Sequence, residues 1–582
     1  MSGFSRSMAT GLLLSTLALA ACSSDDDPAA PVILPPLGVT TAPTSVSSIR
    51  VTFNSVAGDN SYEIERAEGA AGSFAPATTV AAPATAGTVT YDDTNLKVST
   101  LYRYRITAVR GTSRSQPSSE ASATTFAFGG NQTIDVTTDI TTNTTWKAEN
   151  TYVLKGFIHV ANGATLTIEP GTTVKGDFNT LGASLFILRG AKINAVGRAD
   201  APIVFTSSRA AGQRQPGDWG GLVIVGNATI NRSGVEIEIE GTNTASGTTS
   251  GTNYKVVYSG GTTDTDNSGE MRYVRVEFAG FAPSINNELN SFTFAAVGSG
   301  TKLSFLQSLA GLDDAFEFFG GTVDATNLVS YESGDDHFDM SEGYRGRLQH
   351  IIALQTTQLA PRTSAGSAST DPQGIENDGC NGAGCTNGFN TAPFTIPVVA
   401  NFTLVGTGDI ASSASAGGVG MMLRRGTGGY YVNGVVSRWA RAAFSVRDGD
   451  TYVRAGSTAI PNLATADFAL RNILLTENAA AFQTGGSATQ NTFDVTGNAL
   501  EAATGATSAL FTALPASGAT PTTATLDWTP PSASPAATGG LTTLAGKLAT
   551  AAGTVVTGTA YRGAANPAGT KWWQGWTTYA RN

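Results

Sequence analysis

From residue 38 the chain alternates apolar and polar positions over short runs. Ser48-Ile49-Arg50-Val51-Thr52-Phe53, Tyr62-Glu63-Ile64-Glu65-Arg66 and Tyr102-Arg103-Tyr104-Arg105-Ile106-Thr107-Ala108 each put every second side chain on one apolar face, as half-buried strands do. Gly and Pro turns break these runs, which predicts a β-sandwich over residues 38–126. After residue 128 the texture changes to short apolar strands separated by Gly, Asn and Asp corners. Strands are expected within 152–160, 164–176, 185–196, 203–207, 220–230, 273–278, 303–309, 327–331, 348–354, 398–405, 429–436 and 468–475.

Two of these units repeat. Asp313-Asp314-Ala315-Phe316-Glu317 aligns with Asp335-Asp336-His337-Phe338-Asp339, and Gly321 aligns with Gly343, all at an offset of 22 residues. A fixed offset in the low twenties is one coil of a parallel β-helix, in which each turn stacks on the one before. The fold class expected is therefore all-β: a sandwich, then a parallel β-helix solenoid over 128–582. Polar, Gly/Ser/Thr-rich insertions at about 240–268 and 356–395 read as loops projecting from the solenoid. The aromatic end, with Trp572-Trp573-Gln574-Gly575-Trp576, reads as a cap for the open last coil.

Particular residues sharpen both units. Leu96, Thr100 and Tyr102 follow the Leu-x-Pro-x-Thr-x-Tyr corner of fibronectin type III domains, with Val98 in place of the Pro and Phe53 where that family has a Trp. Residues 38–126 thus resemble a fibronectin type III domain, here without Arg-Gly-Asp, so a spacer role is expected. The solenoid carries Leu166-Thr167-Ile168-Glu169-Pro170-Gly171-Thr172, Asp218-Trp219-Gly220-Gly221-Leu222, Tyr273-Val274-Arg275-Val276-Glu277-Phe278-Ala279-Gly280 and Phe316-Glu317-Phe318-Phe319-Gly320-Gly321. With these motifs it resembles bacterial surface lipoproteins whose β-helix is right-handed and of the pectin-lyase type. That resemblance implies fold and location, and little chemistry.

The first residues supply an address. Arg6 precedes a short apolar run at 12–21, too short to span a membrane and suited to a secretory signal peptide at 1–21. It ends Leu19-Ala20-Ala21-Cys22, which resembles the bacterial lipobox and implies lipidation of Cys22. Ser23 favours the outer membrane in that pattern, and the acidic Asp25-Asp26-Asp27 resembles the tether of surface-displayed lipoproteins. Pro-rich residues complete a linker over 22–37. The expected location is the outer membrane, lipid-anchored and surface-exposed.

Composition adds three constraints. The 68 Gly and 14% charged residues suit an exported β-solenoid. A net charge of −10 argues against nucleic acid as partner. With Cys22 spent on lipid, Cys380 and Cys385 are expected to form a disulfide in an oxidising compartment.

Chemistry concentrates in the repeated rungs. Residues 303–344 hold nine carboxylates and no Lys or Arg. The repeat stacks Asp313 on Asp335, Asp314 on Asp336 and Glu317 on Asp339, at about 4.8 Å. Like charges opposed on neighbouring strands destabilise. Exposure to water, raised carboxyl pKa values or a bound cation relieves this. Ca²⁺ takes roughly six to eight oxygen ligands, so Asp313, Asp314, Glu317, Asp335, Asp336 and Asp339 are candidate ligands, with Glu376-Asn377-Asp378-Gly379 as further oxygen donors. A catalytic reading uses the same residues: Asp313, Asp314, Asp335 and Asp336, with His337, superficially resemble the acid/base cluster of β-helix polysaccharide hydrolases. The fuller hydrolase pattern is missing, with no His-Gly pair and no Arg-Ile-Lys. Arg424, Arg425, Arg438, Arg441 and Arg447 form a later basic cluster, the first four a candidate site for anionic sugar, or the whole simply a balance for the acids. His350 on Gln349-His350-Ile351-Ile352 reads as a packed structural residue. Two functions stay open: a non-enzymatic surface binding or adhesion protein for glycan or matrix ligands with a structural Ca²⁺, and a carbohydrate-active enzyme, hydrolase or lyase, on the same scaffold.

The address yields the first prediction. Cys22→Ala is expected to release the protein from the membrane fraction or stall its processing, read by fractionation and immunoblotting. Unchanged retention together with unchanged processing rejects the lipid anchor.

Overall fold

The computed structural model describes residues 32–242, 254–284, 287–369, 372–408, 418–484 and 493–581. The expected signal peptide at 1–21, the lipidation of Cys22 and the linker up to residue 31 lie outside the described residues. The described chain divides into two compact units.

The first unit contains Ser48–Leu96 and Thr100–Thr124. It has a sheet of Leu37–Ser45, Ser48–Asn54 and Thr88–Asp93, and a second built around Ser61–Glu68 and Leu101–Arg110. The paired strands run antiparallel. The alternation read from sequence is the burial pattern: Ile49, Val51, Phe53, Tyr62, Ile64, Tyr104 and Ile106 are fully buried. Phe53 meets Tyr62 edge-on at 4.9 Å. It fills the place where the resemblance expects a Trp.

The second unit is a parallel solenoid. One of its sheets stacks nine strands in chain order, from Phe157–Val160 to Ala442–Val446. The other, of seventeen strands among the described residues, is parallel throughout its pairings. The 22-residue offset is the observed register: Phe316 pairs with Phe338, Glu317 with Asp339 and Leu306 with Leu328.

The middle strands of the larger sheet are Gly269–Glu277, Lys302–Gly311, Asp324–Ser333, Arg347–Leu354 and Val398–Val405. Each has, at an equivalent position, a residue with φ between 50° and 62°: Tyr273, Phe305, Asn327, His350 and Asn401; Ala310 and Glu332 add a second such residue to Lys302–Gly311 and Asp324–Ser333. The flanking pairs stack in register, so the five equivalent residues form one corner line along the coil axis. Asn tolerates this conformation better than most residues. His350 therefore has a structural place, with Nδ1 3.1 Å from the Ala564 carbonyl.

Alternation along the nine-stranded sheet sets two opposite faces. Inward, Phe292, Phe316 and Phe338 stack with centroids 5.0 and 5.2 Å apart, and Phe294 stacks on Phe318 at 5.1 Å. Outward, the same strands line up Thr293, Glu317, Asp339 and Glu376. The acidic row is thus carried on a rigid aromatic column.

The C-terminal segment departs from the expected cap on the last coil. It runs along the outside of the larger sheet and touches many rungs. Asn472 Nδ2 donates to Gly539 O at 2.9 Å, Asn433 Nδ2 to Leu541 O at 3.1 Å and Asn401 Nδ2 to Thr559 Oγ1 at 2.8 Å. Farther along, Gln349 Nε2 donates to Thr557 O at 2.9 Å and Arg275 Nη1 to Trp576 O at 2.9 Å. The physical reason is the apolar outer face of these strands. Val329, Ile352, Val405, Val435 and Leu474 are buried there beneath Leu526, Trp528, Trp573 and Trp576.

Removing one ring from the column tests its weight. Phe316→Ala deletes a fully buried ring with stacked neighbours on both sides, and such truncations cost about 3–5 kcal/mol. Urea denaturation is expected to show that loss in the solenoid transition and leave the sandwich transition in place. A change below about 1 kcal/mol shows that the site rests on something else.

Candidate functional site

The acidic row is the floor of a chamber of about 740 Å³. Among the described residues its lining contains twelve carboxylate side chains and three arginines, Arg232, Arg424 and Arg425. All six expected ligands, Asp313, Asp314, Glu317, Asp335, Asp336 and Asp339, are there, as are Glu376 and Asp378.

Local structure explains the paired Asp repeat. Asn290 Oδ1 accepts the Asp314 N–H at 3.1 Å, Asp314 Oδ1 accepts the Asp336 N–H at 2.8 Å and Asp336 Oδ1 accepts the Gln373 N–H at 2.6 Å. Each side chain satisfies the backbone donor at the equivalent corner of the next rung. That role needs a short side chain with a terminal oxygen, which Asn and Asp both provide. An Asn would suffice for this role; Asp adds a charge.

The carboxylates approach one another closely. Asp313, Asp314 and Asp335 form one group whose nearest oxygens lie within 4.8 Å of each other; Asp314, Glu317 and Asp339 form a second; Asp336, Asp339 and Glu376 form a third. Burial pushes the carboxyls of Asp313, Asp314, Glu317, Asp336 and Asp339 well above the usual range, and neighbouring carboxylates push them further. Glu376 is raised to about 8 by burial and then by Asp378, against the pull of Arg424. Glu240, from the insertion, is raised to about 7 by burial and then by Glu288. Asp339 Oδ1 and Ser341 Oγ are buried without a hydrogen-bond partner.

The three arginines each meet carboxylates of the lining. Arg424 Nε donates to Asp378 Oδ1 at 2.8 Å, and its Nη2 donates to Glu376. Arg425 donates to Asp378. Arg232 Nη1 donates to Glu342 Oε1 at 2.5 Å, while Tyr258 Oη donates to Glu342 Oε2 at 2.9 Å. Arg232 is itself held by the Ala383 carbonyl at 2.7 Å. Ala383 lies inside the loop closed by the Cys380–Cys385 disulfide.

The candidates divide accordingly. Arg424 and Arg425 reach the chamber, whereas Arg438 is buried elsewhere, donating to Glu477 Oε2 at 3.2 Å and to Pro515 O at 2.9 Å. Arg441 is not in the lining, and its backbone N–H donates to Gly418 O at 2.9 Å. His337 is not with the carboxylates either. It is fully buried, its Nδ1 is 2.6 Å from Ser330 Oγ, and burial lowers its pKa to about 3. It is neutral at ordinary pH and absent from the chamber wall, so it serves packing at the place where a catalytic partner was expected.

The first insertion also differs from the expected projecting loop. Ile239 N–H donates to Val256 O at 2.9 Å and Tyr258 N–H to Ile237 O at 3.1 Å. Ile237, Ile239, Val256 and Tyr258 are buried with Phe281 and Leu289. This short pairing walls the chamber and brings Glu238, Glu240 and Tyr258 to it. The sequence reading missed these residues and Glu288. Their only signal was the apolar alternation Val235-Glu236-Ile237-Glu238-Ile239-Glu240 within a polar stretch.

No curated protein matches the chain in sequence. Among solved structures, an Fn3-like protein from Clostridium thermocellum is 26% identical over 16% of this chain and 92% of its own, with a TM-score of 0.14. The structure described as FN3tt is 22% identical over 16% of this chain and 91% of its own, with a TM-score of 0.13. Titin kinase with its flanking domains is 23% identical over 17% of this chain and only 18% of its own, with a TM-score of 0.15. The model of the pectate-lyase like beta helix domain family matches residues 138–528, more than half of the chain. With its parallel rungs, the chain belongs to the pectate-lyase-like β-helix domain family.

Proposed function

We propose that this chain is a lipid-anchored outer-membrane protein that displays its solenoid at the cell surface. It binds divalent cations, Ca²⁺ above all, in the acidic chamber and holds a glycan or matrix ligand without turning it over. The observation that carries the cation reading is the charge imbalance of the chamber, twelve carboxylates against three arginines among the described residues. Buried carboxylates at such spacing must either take up protons or be met by positive charge. Clusters of carboxylate oxygens with room for water are what Ca²⁺ accepts. Family membership and the type III-like sandwich, read as a spacer, support a surface role related to carbohydrate.

A second reading has its own support. Glu240 at about 7 and Glu376 at about 8 are carboxyls that hold a proton near neutral pH, as a general acid in glycoside hydrolysis must. Release of reducing ends from a panel of polysaccharides, lost in Glu376→Gln, would favour the hydrolase. No release from any of them, with Ca²⁺ present, favours binding alone.

The cation reading predicts a calcium-dependent melting temperature. A cation that binds only the folded state stabilises it by about 2.7 kcal/mol at a hundredfold excess over its Kd. Added Ca²⁺ is expected to raise the melting temperature of chelator-treated protein, and Asp335→Asn with Asp336→Asn to shrink the rise. Equal melting with chelator and with millimolar Ca²⁺ rejects it.

The same carboxyls predict a pH dependence. Each binds its proton more tightly in the folded chain than in the unfolded one, so the folded state gains most when they are protonated. That contribution is complete below the ordinary Glu value of 4.5 and is lost as pH rises through about 7 for Glu240 and about 8 for Glu376. Metal-free protein is therefore expected to melt lower at pH 8 than at pH 5, and saturating Ca²⁺ to narrow the gap. Differential scanning calorimetry at both pH values reads it.

A further inference from the structure

The three carboxylate groups are not separate. Asp314 belongs to the first and the second, and Asp339 to the second and the third. We infer that the chamber holds a row of divalent cations, with Asp314 and Asp339 each bridging two neighbouring ions. This rests on the cation reading above and extends it from one ion to a multinuclear centre.

Three observations carry the step. First, a carboxylate has two oxygens and about four lone-pair sites, enough for one contact to each of two ions. Ions sharing ligands in this way sit about 3.5–4 Å apart in two-metal sites. The strand spacing of about 4.8 Å sets a similar scale between the second group and the third, which lie one rung apart. Second, the cluster holds unused buried oxygens. Among the described residues Asp339 Oδ1 has no hydrogen-bond partner, and neither has the Oγ of Ser341, a residue only 9% exposed that lines the chamber. Ser341 follows Asp339 by two residues on the same outward face of Phe338–Ser341. A buried hydroxyl without a partner is costly, and an ion or its water supplies one. Third, the groups are strongly acidic. Together they contain seven carboxylates, and Arg424, which meets Glu376, is shared with Asp378 outside them. The volume of about 740 Å³ leaves ample room for the waters that complete each coordination sphere.

The row assigns unequal weights to chemically similar residues. Asp313 and Glu376 each serve one group, whereas Asp314 and Asp339 each serve two. The test is the calcium content of the purified full chain, stripped with chelator, dialysed against Ca²⁺ and measured by atomic emission. Three ions per chain are expected for the parent, two for Asp313→Asn and for Glu376→Gln, and one for Asp339→Asn. Near-isosteric amides keep the side-chain volume, and circular dichroism checks the fold. Should Asp339→Asn not fold, Asp314→Asn carries the same expectation of a double loss. One ion in the parent overturns the row and leaves the single-ion reading standing. Loss of one and the same ion in every variant also overturns it. No bound calcium in the parent removes the row and the cation reading together.

Discussion

Everything in the solenoid follows from one constraint: a residue stacks on its counterpart in the next rung, one strand spacing away. For Phe292, Phe316 and Phe338 this is favourable, because offset rings bury one another. For Tyr273, Phe305, His350 and Asn401 on the corner line it aligns side chains that each touch the C-terminal segment. For Glu317, Asp339 and Glu376 it is unfavourable, because each carboxylate inherits the next as a neighbour. The rigid core cannot be relaxed to separate them, since the inward face of the same strands is the aromatic column. A geometry chosen by packing thus enforces an electrostatic problem on the other side of the sheet.

The chain answers that problem in part. Asp314 and Asp336 each give an oxygen to a backbone N–H of the following rung, so some of their charge does structural duty. Arg424 and Arg425 arrive from a later rung, and Arg232 from an insertion pinned by the disulfide loop. These contacts gather at Glu342, Glu376 and Asp378. Asp313, Glu317 and Asp339 receive no arginine contact among the described residues, and their neighbours make their charged forms harder to sustain.

The repeat of 22 residues was enough to read the solenoid, its register and the stacked acids, because these are local in sequence and periodic. The strands at 398–405, 429–436 and 468–475 were legible for the same reason, although the last two are each divided at an Asn corner, Asn433 and Asn472. What escaped was non-periodic. The closing wall from the first insertion depends on Ile237 and Ile239 meeting Val256 and Tyr258 across a polar stretch. Arg232 finds Glu342 over 110 residues. His337 sits next to Asp336 in sequence, yet strand alternation turns it to Ser330 and the core. Adjacency in sequence argued for chemistry that the alternating faces of a strand separate.

The C-terminal segment has a temporal meaning as well as a structural one. Its contacts reach from Asn472 back to Arg275, so it ties rungs laid down early to those laid down late. A polypeptide that emerges from its N-terminal end can wind rung on rung as it appears, each turn templating the next. The outer faces of Val329, Ile352 and Val405 nevertheless stay bare until the final eighty or so residues arrive. Until then the nascent solenoid is a sticky, incompletely closed cylinder, exposed to self-association while synthesis continues. Completion of synthesis is therefore the event that seals the particle, and a chain truncated near its end leaves an adhesive flank along the length of the coil instead of a shorter version of the same protein.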